Sequence, residues 1–180
     1  MKRVLVLGSF DLTHAGHVRF LSKAAALGDE LYVALNSDDF IRRYKREPIL
    51  TWKERAEMLA ALKVVDYVFP NFGSEDSKQA IIHANKGADE LIIVHGDDWT
   101  GDSYMEQLQV TAEWLDQRMI TIAYVPYSAG ISTTEILQRI ADKDMTPFCR
   151  CGMICVGQSV LDDRTEHKID ARRRCKKVSR

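Results

Sequence analysis

Short apolar runs of strand length alternate with stretches of helical period along the first 140 residues, and this alternation most constrains the fold. Val4-Leu5-Val6-Leu7 is continuously apolar and ends at Gly8, as a strand covered on both faces should read. Residues 15–27 then place Val18, Leu21 and Ala25, with Phe20, Ala24 and Leu27 beside them, on one side of a helix. Leu31–Leu35, Tyr67–Phe69 (stopped by Pro70), Leu91–Val94 and Ile120–Val125 read as further strands. Between them, Thr51 and Glu54 fit a capping box opening a helix to about Leu62, and Ser74 can cap one to about Asn85. A single helix is expected over about Ser103–Gln117, and a last one from Thr133 to about Ile140, capped by Ser132. Such β-α alternation implies an α/β fold, an open parallel sheet with helices on both faces. In these sheets ligands bind beyond the carboxyl ends of the strands, where strand order reverses.

Charge divides the chain in two. Residues 141–180 carry 10 Lys/Arg against 6 Asp/Glu, leaving 15 against 20 in residues 1–140. We therefore read residues 1–142 as one domain and 143–180, where the periodicity fades beyond Asp142, as a basic, flexible tail. The overall net charge of −1 argues against nucleic acid as a partner. No apolar run reaches the roughly 20 residues that span a bilayer, so no membrane partner is expected. Met1-Lys2-Arg3 followed by an apolar stretch resembles the start of a signal peptide, but Asp11 and His14 interrupt it too early. All four cysteines (Cys149, Cys151, Cys155, Cys175) fall in the tail. That excludes a disulfide framework for the domain and points to the cytoplasm. Their spacing lacks paired Cys-x-x-Cys knuckles, so free thiols are favoured over a zinc site.

Chemistry concentrates between the first strand and first helix, in Gly8-Ser9-Phe10-Asp11-Leu12-Thr13-His14-Ala15-Gly16-His17. Two imidazoles three residues apart at a helix start can face one way. Gly16 between them leaves room for a bulky anion to approach the backbone. Helix N-terminal N–H groups favour phosphate, and two imidazole donors add to that. The loop has neither the Gly-Lys-Ser/Thr of a P-loop nor a Gly-x-Gly-x-x-Gly, so a different phosphate cradle is indicated. The bland alternative makes His14 and His17 ordinary helix-start residues, or half a metal site. No zincin-type Glu accompanies them. Asp11 has an equally bland alternative as a turn cap.

Gly-Ser-Phe-Asp-x-x-His-x-Gly-His resembles the signature of the HxGH nucleotidyltransferase superfamily, near its glycerol-3-phosphate cytidylyltransferase branch. The resemblance continues through Asn36-Ser37-Asp38-Asp39-Phe40, Trp52-Lys53-Glu54-Arg55, Val65-Asp66, Gly96-Asp97-Asp98-Trp99 and Gly130-Ile131-Ser132-Thr133-Thr134, covering about residues 2–140. It implies a Rossmann-like fold, usually a homodimer, that joins a nucleoside triphosphate to a small phosphorylated alcohol and releases pyrophosphate. The acceptor phosphate attacks the α-phosphorus in line, so catalysis is positioning and charge neutralisation.

Carried over residue by residue, the resemblance makes His14, His17, Lys45 and Arg55 catalytic, the last for a phosphate. Ser9 and Phe10 would offer main-chain contacts to the nucleotide. Gly16, Arg46, Asp98, Ile131, Ser132, Thr133 and Thr134 complete the nucleotide site. Asp11, Asp38, Lys63 and Tyr127 fall to the acceptor. Mg²⁺ is expected because triphosphates carry it. Two positions depart from the branch: Tyr127 and Lys63 stand where it has arginines, losing a bidentate fork at each. The favoured reaction is CTP with a phosphorylated polyol. The alternatives are an ATP-dependent adenylyltransferase of a sugar phosphate or cofactor precursor, and a nucleotide-binding regulatory module.

Overall fold

A computed structural model describes residues 1–44, 46–72, 76–97, 101–126 and 130–142. The chain divides into two compact units, Met1–Thr133 and Thr134–Arg180.

The first unit holds a five-stranded sheet in the order β3-β2-β1-β4-β5. Its strands are β1 (Lys2–Gly8), β2 (Glu30–Leu35), β3 (Tyr67–Pro70), β4 (Glu90–Gly96) and β5 (Ile120–Val125). Every pairing is parallel, so the fold is Rossmann-like. Strand order reverses between β1 and β4, which pair from Lys2↔Glu90 to Val6↔Val94. Pro70 extends β3 rather than stopping it before this residue, at the last rung against Leu35. It is tolerated because β3 is an edge strand.

Alternation along β1 explains its unbroken apolar run. Val4 and Val6 enter one core with Leu21 of α1 (Ala15–Ala25), while Leu5 enters the other. The first core also takes Leu59 from α3 (Trp52–Ala60), which begins with the expected Thr51–Glu54 capping box. The second takes Ala80, Ile81 and Ala84 from α4 (Lys78–Asn85), together with Tyr104, Leu108 and Leu115. Full burial of one such side chain is worth about 1.5–3 kcal/mol, so both layers hold the sheet.

Three elements differ from the sequence reading. The segment after β2 contains a helix, α2 (Asp38–Tyr44), which the apolar pattern does not indicate. Ser37 Oγ accepts from Phe40 N at 3.1 Å, and Ile41 is buried. α4 begins at Lys78, after a Ser77 that makes no side-chain cap bond; Ser74 lies outside the described residues. The single helix expected over 103–117 is two, α5 (Gly101–Leu108) and α6 (Ala112–Asp116). Gln109 sits at φ 56°, ending α5, and Thr111 restarts the chain by accepting from Trp114 N at 3.2 Å. A left-handed residue followed by an N-cap breaks a helix that apolar period alone would continue.

Helix α7 (Thr133–Asp142) begins at the last residue of the first unit. Within the second unit, Arg139 pairs with Glu135 and Gln138 with Asp142. None of the α7 residues is buried. Among the described residues no helix is long and apolar enough to cross a membrane. The cysteines and the basic run of the tail lie outside the described residues.

Candidate active site

The loop 9–14 leaves β1 at the reversal of strand order, and its last residue, His14, is the N-cap of α1 in extended conformation. Main chain and imidazole then cap each other. Gly16 N donates to His14 Nδ1 at 3.1 Å, and His14 N donates to His17 Nδ1 at 3.3 Å. The two rings stack with centroids 3.9 Å apart and planes at 28°. An imidazole whose Nδ1 accepts an N–H carries its neutral-state proton on Nε2. Both rings are thereby set as Nε2–H donors at a helix N-terminus, where anions are favoured. Burial holds the His14 pKa below the ordinary histidine value.

Gly16 has a role other than the expected one. A Cβ there would meet the His14 ring at 2.8 Å and the Ile131 carbonyl oxygen at 3.2 Å. The missing side chain makes room for these groups rather than for an incoming anion. Gly8 acts similarly: a Cβ would lie 2.8 Å from the Phe10 ring, whose centroid is 5.2 Å from that of His17. Phe10 and Leu12 adopt φ values of 49° and 53°, the left-handed region that costs ordinary side chains roughly 1–2 kcal/mol. Such strain clusters at functional loops. Thr133 Oγ1 donates to Asp11 O at 3.0 Å, fastening the Ile131–Thr133 segment to the histidine loop.

Asp11 is a structural centre. Its carboxylate is buried, accepts from Ile49 N and Leu50 N at 3.1 and 3.0 Å, and pairs with Arg46 at 2.7 Å. Burial pushes its pKa up, but these two N–H groups and Arg46 together hold it below the usual carboxylate value. The expected acceptor contact through Asp11 thus competes with a full set of partners. Arg46, expected at the nucleotide, is committed to Asp11 and to Glu47 O. Arg42, four residues before it, pairs with Asp39 and Glu47.

Arg55 requires a correction. A phosphate ligand needs donors open to solvent, whereas this guanidinium is wholly buried. It donates to Leu50 O (3.2 Å), Ser9 O (2.5 Å), Asn36 O (3.0 Å) and Asp38 Oδ1 (2.5 Å). Arg55 therefore ties the histidine loop to the chain ends after β2 and before α3. Asp38, expected at the acceptor, gives its other oxygen to Trp52 N at 3.1 Å. Ser9 O, expected to face the nucleotide, is taken by Arg55.

Lys63 is corrected too. It is exposed and lies just before Asp66, whose N–H bonds Leu31 O at the start of β2. That is the amino-terminal edge of the sheet, opposite the histidine loop, because parallel strands present all their carboxyl ends on one side. Within one chain Lys63 does not join the site. Ser132 and Thr133 belong to the first unit and Thr134 opens the second; Lys45, Asp98 and Tyr127 lie outside the described residues.

The sequence reading also passed over Asn71 and Ser77. Asn36, Asn71 and Ser77 form hydrogen-bonded side-chain contacts at the carboxyl ends of β2 and β3. The signal was an Asn directly after each of two strands, in the position where α/β folds place ligand residues.

Among the described residues no three His, Cys, Asp or Glu side chains gather as a metal site. Asp11 and Asp38 already spend their oxygens on N–H groups and arginines. A protein-held metal does not fit them.

A strained loop at a strand-order reversal, with two cap-locked imidazoles at a helix N-terminus, forms the candidate site on a Rossmann-like sheet. The family model described as Cytidylyltransferase-like matches residues 5–139, and the chain belongs to that family. It is 36% identical over 143 residues to glycerol-3-phosphate cytidylyltransferase of Bacillus subtilis (strain 168), covering 78% of this chain and 98% of the relative. It is 38% identical over 142 residues to the bifunctional protein HldE of Pelobacter propionicus, covering 78% of this chain but only 27% of that protein. The lipopolysaccharide core biosynthesis protein of Thermoplasma volcanium GSS1 shares the fold with TM-score 0.53 and 30% identity, over 71% of this chain and 99% of its own. The chain is a nucleotidyltransferase.

Proposed function

We propose that the protein transfers a cytidylyl group from CTP to a phosphorylated polyol resembling glycerol 3-phosphate. An oxygen of the acceptor phosphate forms the new bond to the α-phosphorus. The bond from that phosphorus to the β-bridging oxygen breaks, and pyrophosphate leaves. The observation that carries this reading is the stacked His14–His17 pair, whose Nε2–H donors are set by their own cap bonds. Donors fixed in advance cost no reorganisation when negative charge develops on the phosphates. Similarity along 98% of a glycerol-3-phosphate cytidylyltransferase supports the choice of nucleotide and acceptor.

In this reading the main chain of Ile131, Ser132 and Thr133 lines the triphosphate beside the histidines, while Gly16 holds the His14 ring in place through its N–H. Lys45 meets the phosphates, and Asp98 lies beside the base or the acceptor. Mg²⁺ arrives with the triphosphate, as part of the substrate. The enzyme works as a cytoplasmic homodimer.

Tyr127, in place of the branch's arginine, loosens the choice of acceptor, and the second reading is an ATP-dependent adenylyltransferase of a sugar phosphate or cofactor precursor. Pyrophosphate release from each nucleoside triphosphate against a panel of phosphorylated alcohols, with His14→Ala as control, separates the two. CTP-only turnover supports the first, ATP-only turnover the second. Tight nucleotide binding without turnover in any combination overturns both.

A further inference from the structure

Ser9, Asn36 and Asn71 each follow the last residue of a strand, and the register aligns them. Gly8 stands opposite Leu35, and Leu35 opposite Pro70. Asn36 N donates to Gly8 O and Asn71 N to Leu35 O, each at 2.9 Å, so the ladder runs one step past the strands. The side chains continue it sideways. Asn36 Nδ2 donates to Ser9 Oγ at 3.5 Å, and Asn71 Nδ2 donates to Asn36 Oδ1 at 3.0 Å and to Ser77 Oγ at 3.3 Å. The row thus starts at the histidine loop and ends against the start of α4.

Its far member is incomplete. Asn71 is only 6% exposed, and its main-chain N–H and side-chain amide donors are engaged as above. Its carbonyl oxygen Oδ1 has no hydrogen-bond partner among the described residues. Buried acceptors are nearly always paired, and an exception at the ligand edge of an α/β sheet points to a donor that arrives with the ligand. An ionised phosphate offers only acceptors, so it cannot be that donor. A hydroxyl can.

Resting on the nucleotidyltransferase reading above, we infer that Asn71 is a specificity-determining residue whose Oδ1 accepts a hydroxyl of the phosphorylated acceptor. The histidine loop grips phosphates common to many substrates. The Ser9–Asn36–Asn71 row reads whether the acceptor carries a hydroxylated carbon chain.

The test compares glycerol 3-phosphate with n-propyl phosphate, and any other phosphorylated polyol that releases pyrophosphate with its deoxy analogue. The wild type is expected to prefer the hydroxylated member by about 10-fold or more in kcat/KM, because a site built for a hydroxyl rejects its absence. Asn71→Ala is expected to bring that ratio near unity, with turnover of the deoxy acceptor and KM for the nucleotide within roughly threefold of wild type. A structural role alone would lower thermal stability and leave the ratio intact. In the wild type, the side-chain amide resonance of Asn71 is expected to shift with the hydroxylated acceptor and not with its deoxy analogue. This measurement decides the matter if Asn71→Ala does not fold. Turnover without discrimination, a ratio unchanged in Asn71→Ala, or equal shifts with both acceptors overturns this inference alone. Absence of pyrophosphate with every acceptor overturns the parent reading as well.

Discussion

His14 and His17 lie ring on ring, 3.9 Å between centroids, and each accepts a main-chain N–H through Nδ1. The same atoms that finish the first turn of α1 thereby fix which nitrogen of each ring carries the proton in its neutral state. On the proposed function, helix capping and phosphate binding are coupled through the imidazole tautomer.

Substitution at His14 can separate these tasks. Asn is among the best N-cap residues, whereas loss of a cap to Ala costs about 0.5–2 kcal/mol. His14→Asn should therefore melt close to wild type and His14→Ala below it. Both remove the Nε2–H donor and should lower kcat by about 10²–10³. Thermal melts beside steady-state kinetics check this, and near-wild-type activity in His14→Asn would contradict the donor role.

The depressed pKa of His14 has a stability consequence of definite sign. Burial lowers the folded value below the unfolded one, so the unfolded chain binds more protons. The contribution is fully present above the unfolded pKa of about 6.5 and is lost as pH falls below it. Phosphate near the ring reverses the shift, since a nearby anion favours the imidazolium. The His14 resonance, followed by NMR against pH, should titrate at higher pH with nucleotide bound; an unchanged midpoint would contradict contact.

Asp11 works in the opposite range. Its carboxylate pKa is lowered overall, Ile49 N, Leu50 N and Arg46 outweighing the cost of burial. The resulting stability is present above the unfolded pKa of about 3.9 and disappears as pH falls through the lower folded value. Asp11→Asn should lose this acid dependence, measurable as a flatter stability–pH profile below about pH 4.

Arg55 should behave as a girder rather than a ligand. Removing one partner of a buried ion pair costs roughly 3–5 kcal/mol, so Arg55→Ala should lower stability by that order. Arg55→Lys keeps the charge but cannot bridge Leu50, Ser9, Asn36 and Asp38 together. Denaturant unfolding checks the size of the loss, and an Arg55→Lys melt equal to wild type would contradict the bridging role.

Gly16→Ala isolates packing within the loop. The new Cβ meets the His14 ring at 2.8 Å, against an Ile131 carbonyl at 3.2 Å that cannot swing aside. Overpacking of this kind costs typically about 1–3 kcal/mol. Because the displaced group is the His14 imidazole, kcat should fall as well. Stability and kcat measured together test this, and retention of both would place the ring elsewhere.

Much of the architecture was legible because local pattern and tertiary fold agree. The apolar run Val4–Leu7 needs cover on both faces, and only a central parallel strand supplies it. The Thr51–Glu54 box lies within one helical turn and forms as read. The break at Gln109 was less legible, since a left-handed non-glycine residue has no marker in apolar period. The helix Asp38–Tyr44 is short, and only Ile41 is buried, too little for a periodic signal.

By itself the sequence determined the alternating elements, the loop after the first strand, and the two histidines one helical turn apart, because each depends on residues close along the chain. Only the tertiary structure decided what the charged groups do. Arg55 and Asp38 are 17 positions apart, and Asp11 is 35 from Arg46, so no spacing rule joins them. Burial joins them, because charges taken from water must find partners wherever the fold brings them. For the same reason Arg55 braces the site, while the course of the backbone puts Lys63 at the far edge of the sheet and His14 against Gly16.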